Sequence, residues 1–236
     1  MAYKDKIEDF KKAASLVTSI PKAPRPSLGA DVPTCAVPSV PQIPAEFTKQ
    51  PTIKPLSSFL DISKTRNLPP KEIEAIWRLR HASSTQSLCA TIPVNIYNEM
   101  EATARKHPFF ILPLPKEGQG AEIHFLQWIF PTPNTVTVLF TQLAEYKLRG
   151  EFSQPHTTIT HHLDLAEPTG LVLMQGQVLK GRGITIEEAK WLVMCLQKFY
   201  GTDGAKSKRR NLLELFGRGE KGFKLEELID EAEKLL

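Results

Sequence analysis

Hydrophobic positions recur at helical spacing near both ends of the chain and alternate in its middle. In residues 1–20, Tyr3, Ile7, Phe10, Ala14 and Val17 fall three or four apart among lysines and acids, the pattern of an amphipathic helix. Residues 21–57 break that pattern. Nine of the chain's 19 prolines lie between Pro21 and Pro55, and proline removes backbone donors and fixes φ, so this stretch reads as a linker. As a coil it spans about 30 Å, and as polyproline II about 100 Å. A body over 58–236 follows. Leu60-Asp61-Ile62 forms a short element, Pro69-Pro70-Lys71-Glu72 opens a helix that ends near His81, and Ile92-Pro93 starts a second helix running to Lys106. The second helix should bury Val94, Ile96, Tyr97 and Met100.

From Phe109 the period becomes two. Residues 109–115, 121–130 and 135–141 read as strands, joined by connections too short for parallel crossovers. After a short helix over 143–149, closed by Gly150, two more strand-like runs cover 155–165 and 170–179 around the turn Glu167-Pro168-Thr169-Gly170. In the first, Ile159, His161, Leu163 and Leu165 share an apolar face, while Thr158, Thr160, His162 and Asp164 share a polar one. The second is apolar on both sides, which puts this hairpin at the heart of a sheet. Beyond Gly181-Arg182-Gly183, Thr185 and Glu188 make a capping box ahead of Ala189, Leu192, Val193, Leu196, Phe199 and Tyr200. Helical pieces over 211–216 and 225–236 follow. The fold class is α+β: a curved, mostly antiparallel sheet of five to six strands, with helices on one face and at its ends and a Pro-rich N-terminal arm. Its other face is expected to remain a partly open, concave groove.

The central stretch carries a resemblance. Glu145, Tyr146, Lys147, Gly150, Glu151, Pro155, His156, Thr158, Thr160 and His161, followed by Leu165-Ala166, Gly170, Val172-Leu173-Met174 and Gly176, match in order the mitochondrial ATP synthase assembly factor 1 family. Upstream, Phe110-Ile111-Leu112-Pro113-Leu114-Pro115 and Phe125-Leu126-Gln127 extend the match, while Phe152-Ser153 and His162 depart from the pattern. The resemblance implies a chaperone that transiently binds the unassembled beta subunit of the catalytic head and later yields it to the alpha subunit. It also implies a monomer in the mitochondrial matrix, with no cofactor and no catalytic residue. Glu145 and Lys147 would then fix loop geometry. The groups expected to meet the partner are Ile7 and Phe10 of the N-terminal helix and Trp128, Phe130 and Phe152 near the sheet.

Composition narrows the alternatives. A hydrophobic content of 41% and a charged content of 24% are those of a globular chain. No run of about 18 apolar residues occurs, so no membrane span is expected. Cys35, Cys89 and Cys195 are odd in number and lack CxxC spacing, which argues against a disulfide framework or a zinc site. Asp5, Glu8 and Asp9 are the wrong charges for a transit peptide, so under the matrix reading a presequence is absent from this chain. A net charge of +4 and the run Lys206–Arg210 raise nucleic-acid binding, but RNA-recognition signatures are missing and a solvated loop between helices explains the run. No GxSxG, Walker, GxGxxG or HExxH motif is present. His161 and His162 point to opposite faces, and His156 and His162 stand about 20 Å apart along one strand. Each therefore reads as a satisfied structural histidine, and Cys195 as a small buried hydrophobe. The alternative function is binding of a lipid-like small molecule in the open concavity of the sheet.

Overall fold

The computed structural model describes residues 53–116, 120–201, 207–220 and 222–234. The expected helix at 1–20 and nearly all of the linker lie outside them, as do Lys206 and the last two residues. A single 3-10 turn, Leu56–Ser58, leads into α1 (Ile62–Thr65) and α2 (Pro70–His81). Then come β1 (Ser87–Pro93), α3 (Val94–Lys106), β2 (Phe109–Lys116), β3 (Gly120–Thr132), β4 (Thr135–Gln142), α4 (Leu143–Arg149), β5 (Thr157–His162), α5 (Ala166–Thr169), β6 (Leu171–Val178), α6 (Ile186–Tyr200), α7 (Lys208–Arg218) and α8 (Leu225–Glu233).

Strands β2 to β6 form an antiparallel meander, and β1 adds to the far side of β6, giving the order β1-β6-β5-β4-β3-β2. The class is α+β, with the sheet curled into a half barrel. The β5–β6 hairpin has a strand on each side, as its sequence required. Its turn tightens into the one-turn helix α5, ended by Gly170 at φ 72°, a left-handed position that glycine occupies without strain. Pro113 and Pro115 are tolerated because β2 is an edge strand, where missing N–H groups interrupt no ladder.

The start of the second helix differs from the sequence reading. Ile92-Pro93 does not begin a helix; it ends β1, where Leu88, Ala90 and Ile92 alternate against Gly176, Met174 and Val172 of β6. Pro93 then caps α3, whose buried side is Tyr97, Met100, Thr103 and Ala104, while Ile96 is exposed. Because β1 and β2 are opposite edges, α3 must carry the chain across one face. Its 13 residues reach about 20 Å, close to the roughly 24 Å between the edges of a six-stranded sheet.

The main core lies on that face, where Phe110, Leu126, Val138, Ile159 and Met174 meet α3, α6, α7 and α8. The Trp191 indole donates to the Pro113 carbonyl at 3.3 Å, pinning α6 to β2. Thr185 and Glu188 close both halves of the capping box at the start of α6. A second, smaller core fills the opposite face, where Leu56, Ile73 and Trp77 close over Leu165 and Leu173. The Trp77 indole N–H donates to the Met174 carbonyl at 3.0 Å. The groove expected on this face is therefore occupied over β1, β6 and the end of β5.

Candidate functional site

The motif residues from Glu145 to His156 converge at one end of the sheet. Helix α4 leaves β4 with Leu143 buried, and Tyr146 stacks on Phe125 of β3 at 4.3 Å between ring centroids. Gly150 then takes φ 58°, ψ −132°, a combination nearly closed to residues with a Cβ, and the chain turns through a 3-10 helix over Gly150–Phe152. Glu145 organises what surrounds it. One carboxylate oxygen lies 3.4 Å from Arg182 Nη1 and 3.7 Å from Arg149 Nη1, and it accepts the Gln154 backbone N–H at 3.4 Å. The loop after β6 is thereby tied to α4. Gly183 approaches so closely that a Cβ there would sit 3.1 Å from the Gln142 side chain.

This frame holds its buried side tightly and leaves two large apolar groups outside. Leu148, in the last turn of α4, is 82% exposed, and Phe152, closing the next turn, is 75% exposed. Phe152 is thus exposed. Leu148 is an addition, and its phase could have revealed it. Leu143 and Tyr146 define the inward side of α4, and position 148 falls away from both on a 100° per residue wheel.

Beneath this end runs a polar chain. His156 Nδ1 is 2.9 Å from Thr157 Oγ1, and His156 Nε2 is 2.9 Å from His124 Nδ1. His124 Nε2 faces Glu122 at 3.7 Å, and Lys116 pairs with both Glu122 and Glu188. The network assigns the tautomers. If Thr157 donates to His156 Nδ1, then His156 Nε2–H donates to His124 Nδ1, and the N–H of His124 points at the carboxylate; the reverse order would set a bare lone pair against it. Burial, with His156 beside it, holds His124 down to about 3, and burial holds His156 down to about 4. Both rings are neutral at ordinary pH. Among the described residues no three His, Cys, Asp or Glu side chains are grouped to hold a metal.

His161 and His162, adjacent on β5, are structural, but they are not satisfied. His161 and His162 are both fully buried, and none of their ring nitrogens has a hydrogen-bond partner. His161 lies parallel to Trp128 at 5.7 Å and packs on Tyr97. His162, on the opposite face, meets Phe59 and Trp77 at 5.9 and 6.3 Å. The polar face of β5 is thus covered at His162, while Thr158 stays half-buried.

Trp128 is not the exposed group the sequence suggested. It is 3% exposed, between His161 and Tyr200, because it shares the main-core face of β3 with Leu126. Phe130 is half-buried under the Arg105 guanidinium, 4.3 Å from its ring centre. Ile7 and Phe10 lie outside the described residues, as does the side chain of Glu151. The basic run is not a loop throughout: Lys208-Arg209-Arg210 open α7, where Arg210 donates to Thr103 Oγ1 and Arg209 meets Glu231 at 3.7 Å. Cys195 is buried, which pushes its thiol up to about 12.

Beyond the second core, this face carries Gln175 with the buried Thr160 and Thr137 in one cross-strand row, and Gln177, Thr158 and Leu139 in the next. That lining is polar. A hollow of about 370 Å³ beside α1 is polar too, lined by Arg66, Asn134, Asp164 and Glu167 with Ile62 and Leu163. Neither matches a lipid-like ligand. Among the described residues no helix is long and apolar enough to cross a membrane.

A family model described as ATP11 protein matches residues 1–229. The mitochondrial protein atp11 of Schizosaccharomyces pombe is 37% identical over 174 residues, covering 72% of this chain and 60% of that protein. The ATP synthase mitochondrial F1 complex assembly factor 1 of Homo sapiens is 29% identical over 189 residues, covering 80% of this chain and 53% of its own length. The Mus musculus protein of the same name is also 29% identical over 189 residues, with 54% of its length covered. The chain therefore spans between half and two thirds of the length of these relatives.

Proposed function

The chain belongs to the ATP11 protein family, and from that premise we propose that it is a non-enzymatic assembly factor of the mitochondrial ATP synthase F1 head. In this reading it holds the unassembled beta subunit, prevents its aggregation and yields it to the alpha subunit. The observation that carries the proposal is the family match over residues 1–229, together with relatives named as F1 complex assembly factors. The choice of beta over alpha, the matrix location and the monomeric state follow from the resemblance of the central motif. The physical motive is general: a subunit of an obligate oligomer exposes apolar surface that aggregates until its permanent neighbour covers it.

The site supports this reading. The Glu145 carboxylate and Arg182 hold loops in place, and two of the outward groups, Leu148 and Phe152, are large and apolar. Ile7 and Phe10 enter the proposal as a second contact, carried on the N-terminal segment. The test is to dilute denatured beta subunit into buffer with this protein and without ATP, following light scattering and co-elution. Suppression at near-stoichiometric ratio, reversed by added alpha subunit, is the expected result. Aggregation that proceeds regardless would overturn it. Alanine at both Ile7 and Phe10 should weaken co-elution while leaving the melting temperature unchanged, and unaltered binding would remove the N-terminal contact.

A further inference from the structure

We propose, resting on the assembly-factor reading, that Leu148 and Phe152 form the anchor of partner binding. They enter an apolar pocket rimmed by carboxylates on the free F1 subunit. Large apolar side chains scattered singly over a surface need no explanation. Among the described residues, Leu79, Leu148 and Phe152 are the most exposed of that kind. Leu79 stands by itself on α2, whereas Leu148 and Phe152 are four residues apart on consecutive turns. Leu179, also exposed, follows β6, and its N–H donates to the His156 carbonyl. The three side chains belong to one end of the molecule.

The presentation is rigid. Tyr146 is stacked on Phe125, Glu145 ties α4 to Arg182 and to the Gln154 backbone, and Gly150 makes the turn between the two anchors. An anchor held in place loses little freedom when it is buried, which is what separates an interface hot spot from a loose loop tip. The motif residues thereby acquire a role. They shape the surface, and their less regular neighbours Leu148 and Phe152 make the contact.

Charge selects the partner's chemistry. Lys147 and Arg149 flank Leu148 in the chain, Lys180 follows Leu179, and Arg182 reaches α4 through the Glu145 carboxylate that Arg149 also meets. The balance is positive, so the matching pocket is apolar at its centre and acidic at its rim.

The experiment measures the dissociation constant and association rate for isolated beta subunit by surface plasmon resonance at low and high salt, with isolated alpha subunit in parallel. The variants are Leu148→Ser with Phe152→Ser, the conservative Phe152→Leu, the charge reversal Lys180→Glu, and Leu79→Ser as an equally exposed control. The double serine variant should weaken binding by about 30-fold or more, the scale of a hot-spot loss, with an unchanged melting temperature. Phe152→Leu and Leu79→Ser should bind nearly as the parent chain does. Lys180→Glu should slow association and reduce the salt dependence of binding. Parent-like affinity of the double serine variant would overturn the anchor while leaving the assembly-factor reading intact. If the parent chain binds alpha and not beta, the beta assignment falls and the anchor is judged by the same variants against alpha. If it binds neither subunit, both fall. Parent-like kinetics of Lys180→Glu would overturn the acidic rim.

Discussion

Acidification should destabilise this fold steeply, and the cause can be assigned to named rings. All six histidines of the chain, His81, His107, His124, His156, His161 and His162, are held below their ordinary value, with burial the largest cause in each. Four shifts are large: His124 and His161 fall to about 3, and His156 and His162 to about 4. Above about pH 6.5 these rings are neutral both folded and unfolded, and they impose no pH dependence. Below it the unfolded chain takes up protons that the fold refuses, so stability falls with pH until the folded values are reached, near 4 and then 3. At pH 5 each of the four costs about 2 kcal/mol relative to pH 7.5, about 8 kcal/mol together. That is comparable with the whole stability of an ordinary domain, roughly 5–15 kcal/mol. The assay is urea unfolding at pH 7.5, 6.0 and 5.0, followed by the fluorescence of Trp77, Trp128 and Trp191. A midpoint that does not move between pH 7.5 and 5.0 would refute the placement of these rings as buried and neutral.

Replacing His162 with Phe isolates one contribution. Neither ring nitrogen has a partner to lose, so stability at pH 7.5 should change by less than about 1.5 kcal/mol, while the loss between pH 7.5 and 5.0 should shrink by about 2 kcal/mol; an undiminished pH dependence would count against the assignment. Gly176→Ala adds a Cβ that would meet Ile159 Cδ1 and Leu88 Cβ at 2.8 Å, and a thermal melt should show a loss of about 1–3 kcal/mol. No loss would mean that β1 lies farther from β6 than described. Thr185→Ala removes the side chain that receives the Glu188 N–H at 3.2 Å and should cost about 1 kcal/mol in the same melt; a neutral result would deny the cap its role.

Much of the frame was legible because its signals are local. The capping box at Thr185 and Glu188, the proline at the start of α2 and the glycine after α4 each specify a boundary through groups within a few residues of it. What escaped depends on distant chain. Strand β1 is short, and its alternation of Leu88, Ala90 and Ile92 gains meaning only beside β6, more than 80 residues later. Alternation in β5 sorted His161 from His162 correctly, but it could not show that Phe59 and Trp77, on an earlier segment, would close over His162. Trp128 illustrates the same limit: its position in the alternation matches Leu126, yet its bulk invited a surface reading until Tyr200 and His161 were seen around it. The outward groups of the site were half legible. Phe152 follows a turn glycine, whereas Leu148 is identified by what the inward residues of α4 leave unused.

The magnitude of the proposed contact fits a holder that must later let go. Burying Leu148 and Phe152 completely gains roughly 3–6 kcal/mol, less than the about 8 kcal/mol of a micromolar complex. Two anchors alone therefore make a complex that exchanges readily, and the basic rim with the proposed N-terminal contact must supply the remainder. Linked weak contacts raise the occupancy of a partner without any single contact becoming hard to displace. A permanent neighbour subunit, whose obligate interface commonly buries more than about 2,000 Å², can then remove such a holder by competition, with no nucleotide hydrolysis to drive the exchange. A deep apolar groove on the sheet would have held the subunit more tightly and released it less easily. The filling of that face by Trp77, Ile73 and Leu56 is thus consistent with a protein whose contact is small, rigid and at one end.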